Sequence, residues 1–127
     1  MDLKKMNKFS ELESNVIGWA QERGIFDKGD ALAQLNKTEE ELDETVRAVK
    51  ALEDWELAMK HDPKTVNPKT IEFLQNEVAD GIGDMLVTII IAAEMLDLES
   101  IECLQLAYDE IKDRTGKMVG GQFVKDK

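Results

Sequence analysis

The stretch EVADGIGDMLVTIII, Glu77 to Ile91, decides how this chain folds. The run from Met85 to Ala93 is apolar on nearly every side and reads as a buried helix. Just before it, the same helix carries Asp80, Gly81, Gly83 and Asp84. At the helical advance per residue, Glu77, Asp80 and Asp84 fall within roughly a 60° arc. They form one column of acids, while Val78, Ile82, Met85 and Ile89 lie elsewhere and serve the core. A glycine inside a helix costs about 1 kcal/mol relative to alanine. Two of them beside two aspartates imply that another backbone, or a ligand, must come close.

Across the chain, the periodicity predicts four helical segments. The first spans residues 8–23, with Phe9, Leu12, Val16 and Trp19 on one face, a capping box from Ser10 and Glu13, and Gly24 as its stop. GIFDKGD reads as a loop. Asp30 caps a second helix over 31–59, whose stripe is Leu32, Leu35, Leu42, Val46, Val49 and Leu52. Both prolines, Pro63 and Pro68, break the chain in HDPKTVNPKT. The third helix covers 70–96, roughly 40 Å of rise. Ser100 caps a fourth, in which Ile101, Leu104, Tyr108 and Ile111 recur at helical spacing and which Gly116 ends. MVGGQFV, within the tail 116–127, suits a short hairpin or an ordered loop. The expected class is all-α, a four-helix bundle in one domain over 1–127. The apolar run of the third helix is more than one small bundle can surround, which points to burial against another subunit.

The totals narrow the partners. With 16 Lys and Arg against 27 Asp and Glu, the net charge is −11. A nucleic-acid binder needs a basic face, so no nucleic-acid partner is expected. One cysteine, Cys103, excludes an internal disulfide and suits a reducing, cytoplasmic setting. The N-terminal residues MDLKKMNKFSELES contain no apolar leader core, and no apolar run is long enough to span a bilayer, so no membrane role is expected.

The second helix carries KTEEELDETV, in which Glu40, Glu41 and Glu44 share a narrow arc. By itself such a run is ordinarily a solvated charged face. Packed antiparallel to the third helix, however, its acids meet Glu77, Asp80 and Asp84. Five or six carboxylates around one point repel severely unless cations neutralise them. Oxygen ligands with no histidine or cysteine nearby favour Mg²⁺ or Mn²⁺ over Zn²⁺. A ferritin-like di-iron bundle needs Glu-x-x-His pairs, and the only histidine, His61, lies in the proline segment.

These residues resemble the MazG-like nucleoside triphosphate pyrophosphohydrolases, an all-α superfamily that includes the dimeric dUTPases and dCTP pyrophosphatases. That family carries E-E-x-x-E on one helix and E-x-x-D on the next. Glu40-Glu41-Leu42-Asp43-Glu44 fits the first motif and Glu77-Val78-Ala79-Asp80 the second. Aligning the downstream run GDMLVTIIIAAEMLDLES instead places the motif's Asp at Asp84 and puts Gly81 where Glu stands in the family. Short members often show E-x-x-D-x-I-G-D, matched here by Glu77, Asp80, Gly83 and Asp84, and the ending YDEIKDRTGKMVGGQFVK is similar to theirs. The likeness covers nearly the whole chain.

The resemblance implies hydrolysis of an NTP or dNTP to the monophosphate and pyrophosphate. Mg²⁺, or Mn²⁺ in its place, would be bound by Glu41, Glu44, Glu77 and Asp80 or Asp84, with the glycines giving the site room. The metal, or Glu40 or Glu41 as base, would activate the attacking water. Lys37 from the second helix and Lys112, Arg114 and Lys117 near the end of the fourth are candidate substrate cations. As isolated features the last three equally suit a helix C-terminus. Trp19 is a candidate for stacking on the base, or a core residue of its helix. The resemblance also implies a homodimer or homotetramer. Trp55 reads as a packing or interface residue, Cys103 as a small buried hydrophobe and His61 as a loop residue. Two other readings compete: a non-catalytic helical interaction module, and a Mg²⁺-dependent phosphohydrolase of another nucleotide class. The preferred base and sugar rest on a few pocket contacts that motifs do not encode.

Overall fold

The computed structural model describes residues 3–127, with side chains from Lys8 onward. Met1 and Asp2, part of the N-terminal stretch read above as leaderless, lie outside the described residues. The helices are α1 (Leu3–Glu22), α2 (Ile25–Lys28), α3 (Ala31–His61), α4 (Pro68–Met95) and α5 (Ser100–Ile111). Two short strands follow, β1 (Gly116–Val119) and β2 (Gln122–Lys125), paired antiparallel. The expectation of a mostly helical chain holds, and the glycine pair of the tail makes a hairpin. Among the described residues, no helix is long and apolar enough to cross a membrane.

Local chemistry fixes the helix ends. The Asp30 carboxylate accepts from the Ala33 amide at 2.8 Å and starts α3. Lys60 and His61 lie in the last turn of that helix, so His61 belongs to α3 rather than to a loop, and the Lys60 charge complements the helix dipole. Asn67 caps α4 through the Lys69 amide at 3.0 Å, with Pro68 in the first turn, where a missing N–H costs nothing. Asp97, at φ 58°, turns the chain out of α4, and the Leu98 amide donates to the Ala93 carbonyl at 2.9 Å.

Three expectations are corrected. The segment GIFDKGD is not wholly a loop, because Ile25–Lys28 form a helical turn after Gly24, at φ 71°. α1 begins at Leu3, which leaves Ser10 in its interior and removes the Ser10–Glu13 capping box. Glu13 instead reaches α5: its carboxylate accepts from the Ser100 hydroxyl and from the Ile101 amide, the latter at 3.1 Å. Ser100 therefore donates to a cap rather than being one, and a carboxylate from α1 satisfies the positive end of α5.

α3 and α4 form the principal packed pair, and small residues line their seam. Gly81 is buried against Thr45: a Cβ there would lie 2.0 Å from Thr45 Oγ1 and 3.1 Å from Thr45 Cβ. Two turns away on each helix, Thr38 Oγ1 and Thr88 Oγ1 meet at 2.7 Å. One hydroxyl proton bridges the pair and the other goes to a main-chain carbonyl, either Gln34 O, 3.0 Å from Thr38, or Met85 O, 2.8 Å from Thr88. Thr45 donates to Glu41 O at 2.7 Å. Each hydroxyl is thus satisfied within its own helix or across the pair, so the seam is narrow and polar without a desolvation penalty. Gly81 serves this approach, not room for a ligand, and a Cβ on Gly83 would meet nothing within 4 Å.

The pair has two different sides. A rotation from the seam in one sense leads on both helices to apolar residues, Leu35, Leu42 and Val46 on α3 and Ile82, Leu86 and Ile89 on α4. All six are exposed. The opposite rotation leads to the acids, and α1 packs on that side. α5 leaves the body after its first turn and buries none of its residues. One chain therefore holds three long helices in its body, and the fourth helix of the expected bundle is splayed away. Cys103, on α5, is exposed rather than buried for the same reason.

The two helical glycines should separate in a urea titration. Gly81→Ala is expected to cost about 2–3 kcal/mol through overpacking, partly recovered by adding Thr45→Ala. Gly83→Ala should gain up to about 1 kcal/mol from helix propensity. Equal losses at both sites would contradict the packing described. At the α4–α5 corner, Glu102 chiefly, then partial burial, raise the Glu99 carboxyl above its ordinary 4.5. A raised carboxyl binds more protons folded than unfolded, so its cost appears as the pH climbs through that range. Glu99→Gln should raise the melting temperature at pH 7, and the gain should vanish as the pH falls below about 4.5.

Candidate functional site

The acid side of the α3–α4 pair, roofed by α1, contains a cleft of about 330 Å³. Lys37 and Glu41 enter it from α3, Asp84 and Thr88 from α4, and Trp19 from α1, with Val87 and Ile91 as part of its apolar floor. An adjoining recess shares Trp19, Asp84 and Val87 and continues along α1 past Leu12 and Val16. Four residues singled out from separate parts of the sequence thus line one cavity. The register of the seam explains why: Glu41 stands between Thr38 and Thr45 on α3, and Asp84 between Gly81 and Thr88 on α4.

Glu41 is the unusual member, being only 8% exposed. Lys37, one turn earlier, lies 3.5 Å from its Oε1 and 3.4 Å from Glu40 Oε2. Its hydrogen bond to Glu40, then the charges of Glu40 and Glu41, push the lysine above its usual range and keep it charged. The ammonium and both carboxylates are thereby pre-oriented on one turn of helix. Trp19 is half exposed, with Arg23 5.6 Å from its ring centre, so one part of the indole packs while another faces the cleft.

The other predicted residues lie around this cleft rather than in it. Glu40, Glu44, Glu77 and Asp80 are exposed on neighbouring turns of the same two helices. Among the described residues, no three acid, histidine or cysteine side chains converge tightly enough to hold a metal ion as they stand. Lys112, Arg114 and Lys117 sit on the splayed C-terminal arm, where Lys112 pairs with Asp109 at 3.7 Å. Trp55 is exposed on α3. Sequence reasoning overlooked Thr88, which lines the cleft, and Thr38, whose hydroxyl is bonded to it in the seam. A threonine inside the apolar run MLVTIIIAA was the available signal.

A larger cleft, about 770 Å³, opens between α2 and the C-terminal end of α4, lined in part by Phe26, Asp30, Glu94 and Met95. It has no cationic side chain, and Asp30 is already engaged as a helix cap. Size favours this cleft, while the concentration of opposed charge favours the smaller one. No family model, curated protein or solved structure matches this chain.

Proposed function

We propose that this chain is a MazG-like pyrophosphohydrolase that cleaves nucleoside triphosphates, NTP or dNTP, to the monophosphate and pyrophosphate. The observation that carries this reading is the meeting of a nearly buried Glu41 with Asp84, Lys37 and Trp19 in one cleft. The donor set is hard oxygen throughout, which fits Mg²⁺ or Mn²⁺. Glu41 and Asp84, with Glu44, Glu77 and Asp80 on adjacent turns, would hold the ion. When bound, Mg²⁺ would offset the charge of the triphosphate and lower the pKa of a water.

The chain's own side chains have the remaining tasks. Lys37 supplies a fixed positive charge to a phosphate oxygen. Glu41, or Glu40 beside it, would take a proton from the water attacking the α-phosphorus. Trp19 offers an aromatic face to the base. Little covalent chemistry is asked of the protein in phosphoryl transfer, so positioning and charge account for most of the rate.

A homo-oligomer belongs to the same reading. The chain exposes 10054 Å² at 14.3 kDa, where a folded monomer of that mass exposes roughly 6,800 Å². The uncovered apolar stripes of α3 and α4 are the natural seat for a second copy. That same surface is what would favour the second reading, a helical interaction module without catalysis.

The deciding experiment is a pyrophosphate-release assay over the common NTPs and dNTPs with Mg²⁺, Mn²⁺ or EDTA. Metal-dependent release by the wild type is expected, with a loss of about 10²-fold or more in Glu41→Gln and in Asp84→Asn. Lys37→Ala should act mainly on KM. Orthophosphate release in place of pyrophosphate would assign another phosphohydrolase class. No turnover of any nucleotide by folded, Mg²⁺-supplemented protein would favour the interaction module.

A further inference from the structure

The C-terminal arm is specified in detail yet has no substantial packing on the described residues of its own chain. All eight strand residues are exposed, and the strands pair with each other without substantial packing on any helix. A two-stranded hairpin is marginally stable alone in water. This one is nevertheless well defined. Gly120 and Gly121, at φ 59° and 81°, make its two-residue turn. Met118 faces Phe123 across the ladder. The Phe123 ring lies over Gly116, where a Cβ would come within 2.7 Å of it. Thr115 and Asp126 close the base through a side-chain bond of 2.8 Å and a main-chain bond of 2.9 Å.

Charge is sharply segregated between arm and body. The last sixteen residues hold five Lys and Arg against two Asp, a net of +3, so the preceding 111 carry −14 of the chain's −11. Arg114 and Lys117 pair with no carboxylate among the described residues. The body offers the complement. On α4, Phe73, Glu77, Asp80 and Asp84 recur at helical spacing along one face. Continuing the Thr45–Gly81 register places Trp55 of α3 nearly level with Phe73. Both aromatics are exposed, at 40% and 61%. An aromatic shelf therefore adjoins the outer acids on the side where Lys37 is the cleft's one lining cation.

We propose that residues 112–127 of one copy dock on this shelf of a second copy. Met118 and Phe123 cover the second copy's Trp55 and Phe73, and Lys112 and Arg114, at the root of the hairpin, face its Glu77 and Asp80, with Lys117 on the hairpin's outer face adding to the local positive charge. The available area suffices: the surface in excess of a compact monomer is about 3,000 Å², and a standard interface needs about 800 Å² from each partner. Each acid site would then be completed by cations from a neighbouring chain. The docking stands on geometry and charge, whereas its catalytic consequence rests on the pyrophosphohydrolase reading.

The test is hydrogen exchange of the Met118–Val124 amides in the full-length protein at rising protein concentration. Protection is expected to grow with concentration, and to fall by about tenfold in K112E/R114E/K117E and in Trp55→Ala. Circular dichroism would establish that both variants remain helical. Hairpin amides that exchange freely at every concentration would overturn the proposal. So would protection independent of concentration, which means the arm folds onto its own chain. Where the wild type releases pyrophosphate, mixing Glu41→Gln with K112E/R114E/K117E should restore about a quarter of its activity, the share of sites that random exchange between dimers completes. No recovery, with exchange of protomers demonstrated, would refute delivery of cations in trans. A wild type inactive on all nucleotides would sink the catalytic reading while leaving the exchange measurement decisive for docking.

Discussion

The closeness of α3 and α4 at Gly81 sets the geometry of everything built around them. With hydrogen in place of a side chain, the backbone of α4 comes down onto Thr45, and the threonine pair two turns away holds the same spacing. That contact fixes both the distance between the helices and their register. Register is the more consequential, since it places the acids of α3 beside those of α4 rather than a turn away. A larger residue at position 81 would separate the helices and slide the two columns apart, although no carboxylate had been touched. The conformational cost of a helical glycine is the counterpart of that precision.

Bringing acids together this way creates an electrostatic problem that the body solves only in part. Glu41 is held in the cleft with Lys37 as its nearby cation. Glu44, Glu77 and Asp80 turn outward into water, where high dielectric weakens their mutual repulsion. The cluster is thus arranged on rigid helices but relaxed at its side-chain tips. Such a surface gains most from an added positive charge, whether a divalent ion, a neighbouring chain's lysines or both. The body's net charge of −14 extends the same logic to the whole molecule.

Much of this was legible in the chain. The acid columns, the cap at Asp30 and the helical class follow from spacing and composition, because helical periodicity maps sequence directly onto faces. The purpose of Gly81 was not legible. A glycine that admits a ligand and one that admits a helix look identical until the partner at Thr45 is known. Glu13 shows the same limit: its role as cap of α5 depends on a contact across 88 positions to Ile101, which no local pattern encodes. The splaying of α5 was missed because its apolar spacing is that of a buried helix. Amphipathic spacing says that a face will be covered, without saying whether the cover comes from the same chain.

That last ambiguity carries a physical consequence. A protomer in which Leu42, Val46, Ile82, Leu86 and Ile89 are all exposed leaves a continuous apolar face in water. Burial of such surface is the main favourable contribution to folding, so association has a further share of stabilisation to add. If a second copy supplies it, folding and assembly become one equilibrium, and melting temperature depends on concentration. The seam between α3 and α4 then has to be complete before assembly, since it presents the surface on which the partner lands. Its hydroxyls are satisfied locally, largely to carbonyls of their own helix and to one another. The pair can therefore form without waiting for a partner to quench its polar groups, while the apolar faces it presents supply the reason to associate.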